Sequence, residues 1–126
     1  MNTKETKLSK SELELALTGF SGTENYYLHR IPNGLTMNKT DGCQFVCEHA
    51  GAYWLFDLIL SWQMQLKEHK FQVWKLIKQG DGTWFMHCSD GNGKTLAGQE
   101  IAYSDFPLDQ FEVWLIDGVC LLPSEY

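Results

Sequence analysis

At Lys70 the apolar pattern of the chain changes its period, and this constrains the fold more than any other feature. Over 52–66, Leu55, Leu58, Ile59, Trp62 and Leu66 fall on one helical face that Trp54, Phe56 and Leu60 widen, while Asp57, Ser61, Gln65 and Glu68 leave a narrow polar stripe. Beyond Lys70 the period is two. The segments 71–78, 83–89, 95–104, 111–116 and 119–122 read as strands, separated by Gly-Asp-Gly, Asp-Gly-Asn-Gly, Phe-Pro-Leu-Asp and Asp-Gly links. Links this short join antiparallel neighbours. Asp117-Gly118 is the strongest of these signals, because a two-residue hairpin turn of this type needs positive φ at both central positions. The expected class is α+β, with N-terminal helices packed on one face of a C-terminal antiparallel β-meander of four to five strands.

The N-terminal half supplies the helices. Ser9 with Glu12, or Ser11 with Glu14, offers a capping-box start for a short helix carrying Leu13, Ala16, Leu17 and Phe20. Thr40 or Asp41 can cap a second helix through Cys43, Phe45, Val46 and Cys47. Between them, 21–39 is broken by Gly22, Pro32, Asn33 and Gly34 and has apolar residues without a clear period, so it reads as an irregular segment lying on the core. A chain of 126 residues has material for one core. The expected division is a disordered tail over 1–8 and a single domain over 9–126, helical over about 9–68 and sheet over about 70–123.

Charge and cysteine content narrow the function classes. The net charge is −6. Residues 1–79 hold nine Lys/Arg against eight Asp/Glu, whereas 80–126 hold Lys94 alone against eight acids. An acidic half repels phosphate, so no nucleic-acid partner is expected, and a protein with a basic surface is the partner that fits. The polar, Lys-rich start is no secretory signal, and the apolar stretch 50–60 is too short for a bilayer span, so a cytoplasmic protein without a membrane role is expected. In that compartment Cys43, Cys47, Cys88 and Cys120 should be thiols.

The segments Phe20-Ser-Gly-Thr-Glu-Asn-Tyr-Tyr27, Ala50-Gly-Ala-Tyr-Trp-Leu-Phe-Asp57, Phe71-Gln-Val-Trp74, Asp90-Gly-Asn92, Tyr103-Ser-Asp-Phe-Pro-Leu108 and Leu122-Pro-Ser-Glu-Tyr126 carry a resemblance. Together they are similar to a family of small uncharacterised bacterial proteins, met also among phage and mobile-element genes, that is classified as a domain of unknown function. The resemblance spans almost the whole chain after about residue 17. It implies a bacterial cytoplasmic setting and brings no reaction or catalytic residues.

The residues themselves offer few constellations. Cys43, Cys47 and His49, with His87 and Cys88, lack the paired knuckle spacing of a structural zinc site, and His87 and Cys88 should point to opposite faces of a strand, so no metal and no cofactor are expected. Gly93-Lys94-Thr95 lacks the first glycine of a phosphate loop, and Asp90-Gly91-Asn92-Gly93 reads as a hairpin turn in place of a calcium loop. Asp57 on an apolar helix is the kind of carboxylate that acid–base chemistry uses. Tyr26, Tyr27 and His29 stand in an irregular segment, where aromatic residues can serve recognition. The candidate site residues are therefore Tyr26, Tyr27, His29, Asp57 and His87. The first functional expectation is a non-catalytic binding or accessory protein; a small enzyme with its site between helices and sheet, and an acidic DNA-mimic inhibitor, are the alternatives.

Overall fold

A computed structural model describes residues 7–126. The expected tail falls outside the described residues over 1–6, while Leu8 N–H donates to the His49 carbonyl at 2.7 Å and Lys7 pairs with Asp105 at 2.7 Å.

The first two helices begin where a side chain satisfies a first-turn amide. Helix α1 (Lys10–Leu17) starts at the first of the two proposed boxes: Ser9 Oγ accepts from Glu12 N, and Glu12 Oε1 accepts from Ser9 N. Helix α2 (Asp41–His49) is capped by Thr40. The long helix expected over 52–66 divides at Trp62 into α3 (Tyr53–Ser61) and the single turn α4 (Gln63–Leu66). Trp62 packs against the core from its edge and is not fully buried in it. It lies half-buried at the break, its indole N–H donating to Gln99 Oε1 at 3.0 Å.

The sheet corrects the expected layout. It has seven strands: β1 (Tyr27–Arg30), β2 (Thr36–Lys39), β3 (Phe71–Lys78), β4 (Trp84–Ser89), β5 (Thr95–Ile101), β6 (Gln110–Ile116) and β7 (Val119–Leu121), in the order β1-β2-β7-β6-β3-β4-β5. The last five are the strands read from the sequence and pair antiparallel with one another, but not as a meander: β6 lies beside β3, so the Phe-Pro-Leu-Asp link after β5 crosses past β4 and β3 where it was expected to join neighbours. The other two come from the segment read as irregular, so helices and sheet are not segregated along the chain. β2 pairs parallel to β7 through Asn38↔Val119 and Lys39↔Cys120, and every other pairing is antiparallel. The β6–β7 hairpin turns on Asp117 (φ 49°) and Gly118 (φ 82°), both in the left-handed region as its two-residue link requires.

Leu55, Phe56, Ile59 and Leu60 of α3 and Cys43, Val46 and Cys47 of α2 join the inward residues Trp74, Leu76, Met86, Cys88, Val113 and Cys120 in one core cluster. The four cysteines are unpaired and buried there. Lys75 and Ile77, on the other face of β3, are exposed.

The C-terminal segment closes the α2 end of this core. Glu125, 9% exposed, takes the Thr40 hydroxyl (2.6 Å) and Leu122 N–H (2.9 Å) on Oε1 and Gly42 N–H (2.9 Å) on Oε2. It thus satisfies an otherwise orphaned amide in the first turn of α2. Gly42 is required by this approach, since a Cβ there would stand 2.5 Å from Leu122 Cδ1 and 2.8 Å from the Glu125 carboxylate.

Candidate functional site

β1 and β2 run antiparallel with His29 opposite Met37, so Lys39, two residues further along β2, is the diagonal neighbour of His29 on the same face. That face lies under α3, whose Tyr53, Phe56 and Asp57 share one side of the helix at i, i+3 and i+4. Lys39 is the last residue of its strand because Thr40 turns the chain into α2. Its backbone is held on the other side by β7: Asn38 N–H donates to Gly118 O and Thr40 N–H to Cys120 O.

These placements assemble a chain of three polar side chains. Asp57 Oδ1 lies 2.7 Å from His29 Nε2, and His29 Nδ1 lies 3.0 Å from Lys39 Nζ. Lys39 Nζ also approaches Cys47 Sγ at 3.5 Å and sits 5.0 Å from the Tyr53 ring centroid and 5.8 Å from that of Phe56. An ammonium can only donate, so His29 accepts at Nδ1, carries its proton on Nε2 and donates it to Asp57. Burial lowers the proton affinity of His29; the Asp57 hydrogen bond opposes this and the Lys39 charge reinforces it. The imidazole is therefore neutral at neutral pH, as the tautomer requires.

Burial is graded along this chain. Lys39 is 2% exposed and His29 6%, whereas the Asp57 side chain is 54% exposed. Among the described residues no carboxylate pairs directly with Lys39. A buried ammonium without a direct counter-ion is costly to retain. Cys47, beside it, has its thiol pushed up to about 11 by burial, with the Lys39 charge acting in the other direction. It is a thiol at neutral pH.

All three groups line an open groove of about 720 Å³ with Tyr26, Leu28, Arg30, Gln44 and Tyr53. Tyr26 (62% exposed) and Leu28 (58%) form part of its lining from the β1 side. A second concavity of about 680 Å³ adjoins it through Tyr27 and Gln44 and is lined by Phe20, Phe45, Glu24, Asp41 and Glu48. Here Asp41 binds the 23–27 segment to α2, its carboxylate accepting Glu24 N–H at 2.9 Å and Tyr27 O–H at 3.0 Å while its own N–H donates to Thr23 Oγ1 at 2.8 Å. The Glu24 amide, chiefly, holds the Asp41 carboxyl below its ordinary range, and the same carboxylate raises the Tyr27 phenol.

Of the five residues singled out from the sequence, the structure brings Tyr26, Tyr27, His29 and Asp57 to one groove. His87 is elsewhere: it alternates with the buried Met86 and Cys88 on β4, faces the opposite side of the sheet and bonds Thr95 Oγ1 at 3.1 Å. Lys39, Tyr53 and Gln44 were missed. No composition or spacing signal marks Lys39, and a lysine is the last residue type expected inside a core. Among the described residues no group of three or more His, Cys, Asp or Glu could hold a metal ion. Among the described residues no helix is long and apolar enough to cross a membrane.

Residues 11–126 match the model of a family described as of unknown function, DUF6876. No curated protein and no solved structure matches the chain.

Proposed function

We propose that this chain, which belongs to the DUF6876 family and takes no activity from that membership, is a small enzyme performing acid–base chemistry in the groove beneath Tyr53. The observation that carries this reading is the Asp57–His29–Lys39 chain, which runs from an exposed carboxylate to a buried amine. A proton passed from Lys39 to His29 Nδ1, with a second passed from His29 Nε2 to Asp57, converts an ammonium and a carboxylate into an amine and a carboxylic acid. The imidazole only changes tautomer. Such a chain can deliver or collect a proton at the Asp57 oxygen that His29 leaves free. We place the enzyme in a bacterial cytoplasm, the setting implied by the family resemblance.

The test is a small-molecule screen by protein NMR, followed by turnover assays of the compounds that bind. Binders should perturb Gln44, Tyr53 and Asp57, and at least one should be converted by the wild type and lose conversion in Asp57→Asn, while His87→Ala behaves as wild type. Compounds that bind only elsewhere, or conversion undiminished in Asp57→Asn, would contradict the assignment.

A second reading, an accessory protein that docks on a basic partner, draws on the exposed Asp81, Asp109 and Asp117 and the half-buried Asp90 in the turns and the exposed Glu100 on β5, with Lys94 the only Lys or Arg beyond residue 79. It requires capture of a basic protein that weakens as salt rises, because exposed charges are screened over ~8 Å at physiological ionic strength.

A further inference from the structure

We propose that Lys39 is an amine nucleophile and that the groove takes a small uncharged aldehyde or ketone, which Lys39 captures as a Schiff base. This rests on the acid–base reading above and names its substrate class. Two ligand classes suit a buried ammonium: an anion that pairs with it, and a carbonyl that its amine attacks. The groove distinguishes them. Asp57, the exposed end of the chain, lines the same groove, and an anion drawn to Lys39 would lie beside that carboxylate. A neutral carbonyl meets no such repulsion and needs both groups.

The surroundings of Nζ suit this task. Its polar neighbours are His29 Nδ1, which can take the ammonium proton, and the Cys47 thiol. The Tyr53 and Phe56 rings also flank it, and among the described residues no carboxylate pairs with it, so an amine freed of its proton is not held by a counter-ion. Tyr53, 46% exposed, lines the groove with Lys39 and places its ring 5.0 Å from Nζ, so a carbonyl entering the groove meets both.

The proton balance closes without another reactant. The ammonium gives one proton through His29 to Asp57. The amine lone pair forms the C–N bond as the carbonyl π pair moves to oxygen, and Asp57 protonates that oxygen. The nitrogen then loses a second proton, which leaves with the hydroxyl as water while the nitrogen lone pair forms C=N. Ammonium and carbonyl become a protonated Schiff base and water, with no net change in charge.

Propanal with cyanoborohydride, applied to the full chain and read by peptide mass mapping, tests the proposal. Lys39 should be alkylated at least about tenfold faster than the exposed Lys67, Lys70 and Lys94, against the order that accessibility alone would give. Asp57→Asn should slow labelling at Lys39 by about tenfold or more and leave the exposed lysines unchanged. Lys39 unlabelled while the exposed lysines react would overturn the proposal, even if another compound is turned over in an Asp57-dependent way; that result would leave the acid–base reading standing alone. Fast labelling that Asp57→Asn does not slow would have the opposite meaning, supporting the nucleophile and removing the acid–base chain.

Discussion

Replacing Lys39 with Met asks whether the buried amine is retained for stability or in spite of it. Lys39 is 2% exposed, and withdrawing an ammonium from water costs several kcal/mol, about 4 as a working figure. Against this stand a charge-assisted hydrogen bond to His29, about 2 kcal/mol, and the Tyr53 and Phe56 rings, about 1–2 kcal/mol together. These terms cancel to within about 1 kcal/mol. Met keeps the length and apolar volume of the lysine stem but leaves His29 Nδ1 without a donor, at a cost of about 1–3 kcal/mol that the lifted desolvation offsets. Lys39→Met should therefore move the unfolding free energy by no more than about 1–2 kcal/mol in either direction, while Lys39→Ala, which also opens a cavity, should lose about 2–5. Urea unfolding followed by tryptophan fluorescence reads this directly, a slope of about 1.5 kcal/mol/M placing the Met midpoint within about 1 M of wild type. A Met variant destabilised by more than about 3 kcal/mol would show that Lys39 is a net structural support, and the argument that it is kept for chemistry would fail.

At the C-terminal clamp, Glu125→Gln places an amide N–H₂ against a backbone donor and should cost about 2–3 kcal/mol, with Glu125→Ala worse at about 3–5; a loss below about 1 kcal/mol in both would mean that the Thr40, Gly42 and Leu122 groups find water instead. His29 should titrate below its ordinary value of 6.5, because burial outweighs the Asp57 hydrogen bond. The unfolded chain then takes up a proton at His29 in a window below pH 6.5 where the folded chain does not, so this stability contribution is full above that window and is lost as pH falls through it. Imidazole NMR gives the midpoint, His29→Gln should remove that part of the acid-side slope, and a midpoint above 6.5 would contradict the geometry. Burial pushes the Cys47 thiol up to about 11 and Cys88 to about 12, and raises Cys43 and Cys120 as well. A thiol reagent at pH 8 should find no fast-reacting cysteine in the native protein and four in denaturant, and one that reacts at once without denaturant would refute the packing.

The five C-terminal strands were legible in the sequence, though not their order, because their inward positions are apolar: Leu76, Met86, Cys88, Val113 and Leu115 alternate with polar or half-exposed neighbours. β1 and β2 were hidden by an inverted alternation. In β1 the buried residue is His29, flanked by the exposed Leu28 and Arg30, and in β2 the buried pair is Met37 and Lys39. A period-two reading sorts such a strand face-outward or discards it. The two strands that carry the site were thus the two overlooked, and for one physical reason: the side chains that perform the proposed chemistry occupy core positions. His29 and Asp57 could be singled out by residue type, but only the fold showed that they meet. His87 had the same chemical character and lies on the other side of the sheet.

The parallel pairing of β2 with β7 sets the order in which this molecule can come into being. Thr40 and Glu125 bond across 85 residues of chain, and Lys39 is paired with Cys120. The entropy lost in closing a loop grows as the logarithm of its length, and contacts of large sequence separation are the slow ones to form. During synthesis β1 and β2 emerge first yet have no sheet to join until β7 exists. The strand that carries Lys39 thus gains its second neighbour only once β7 is present, and the groove wall is complete only with the last strand of the chain.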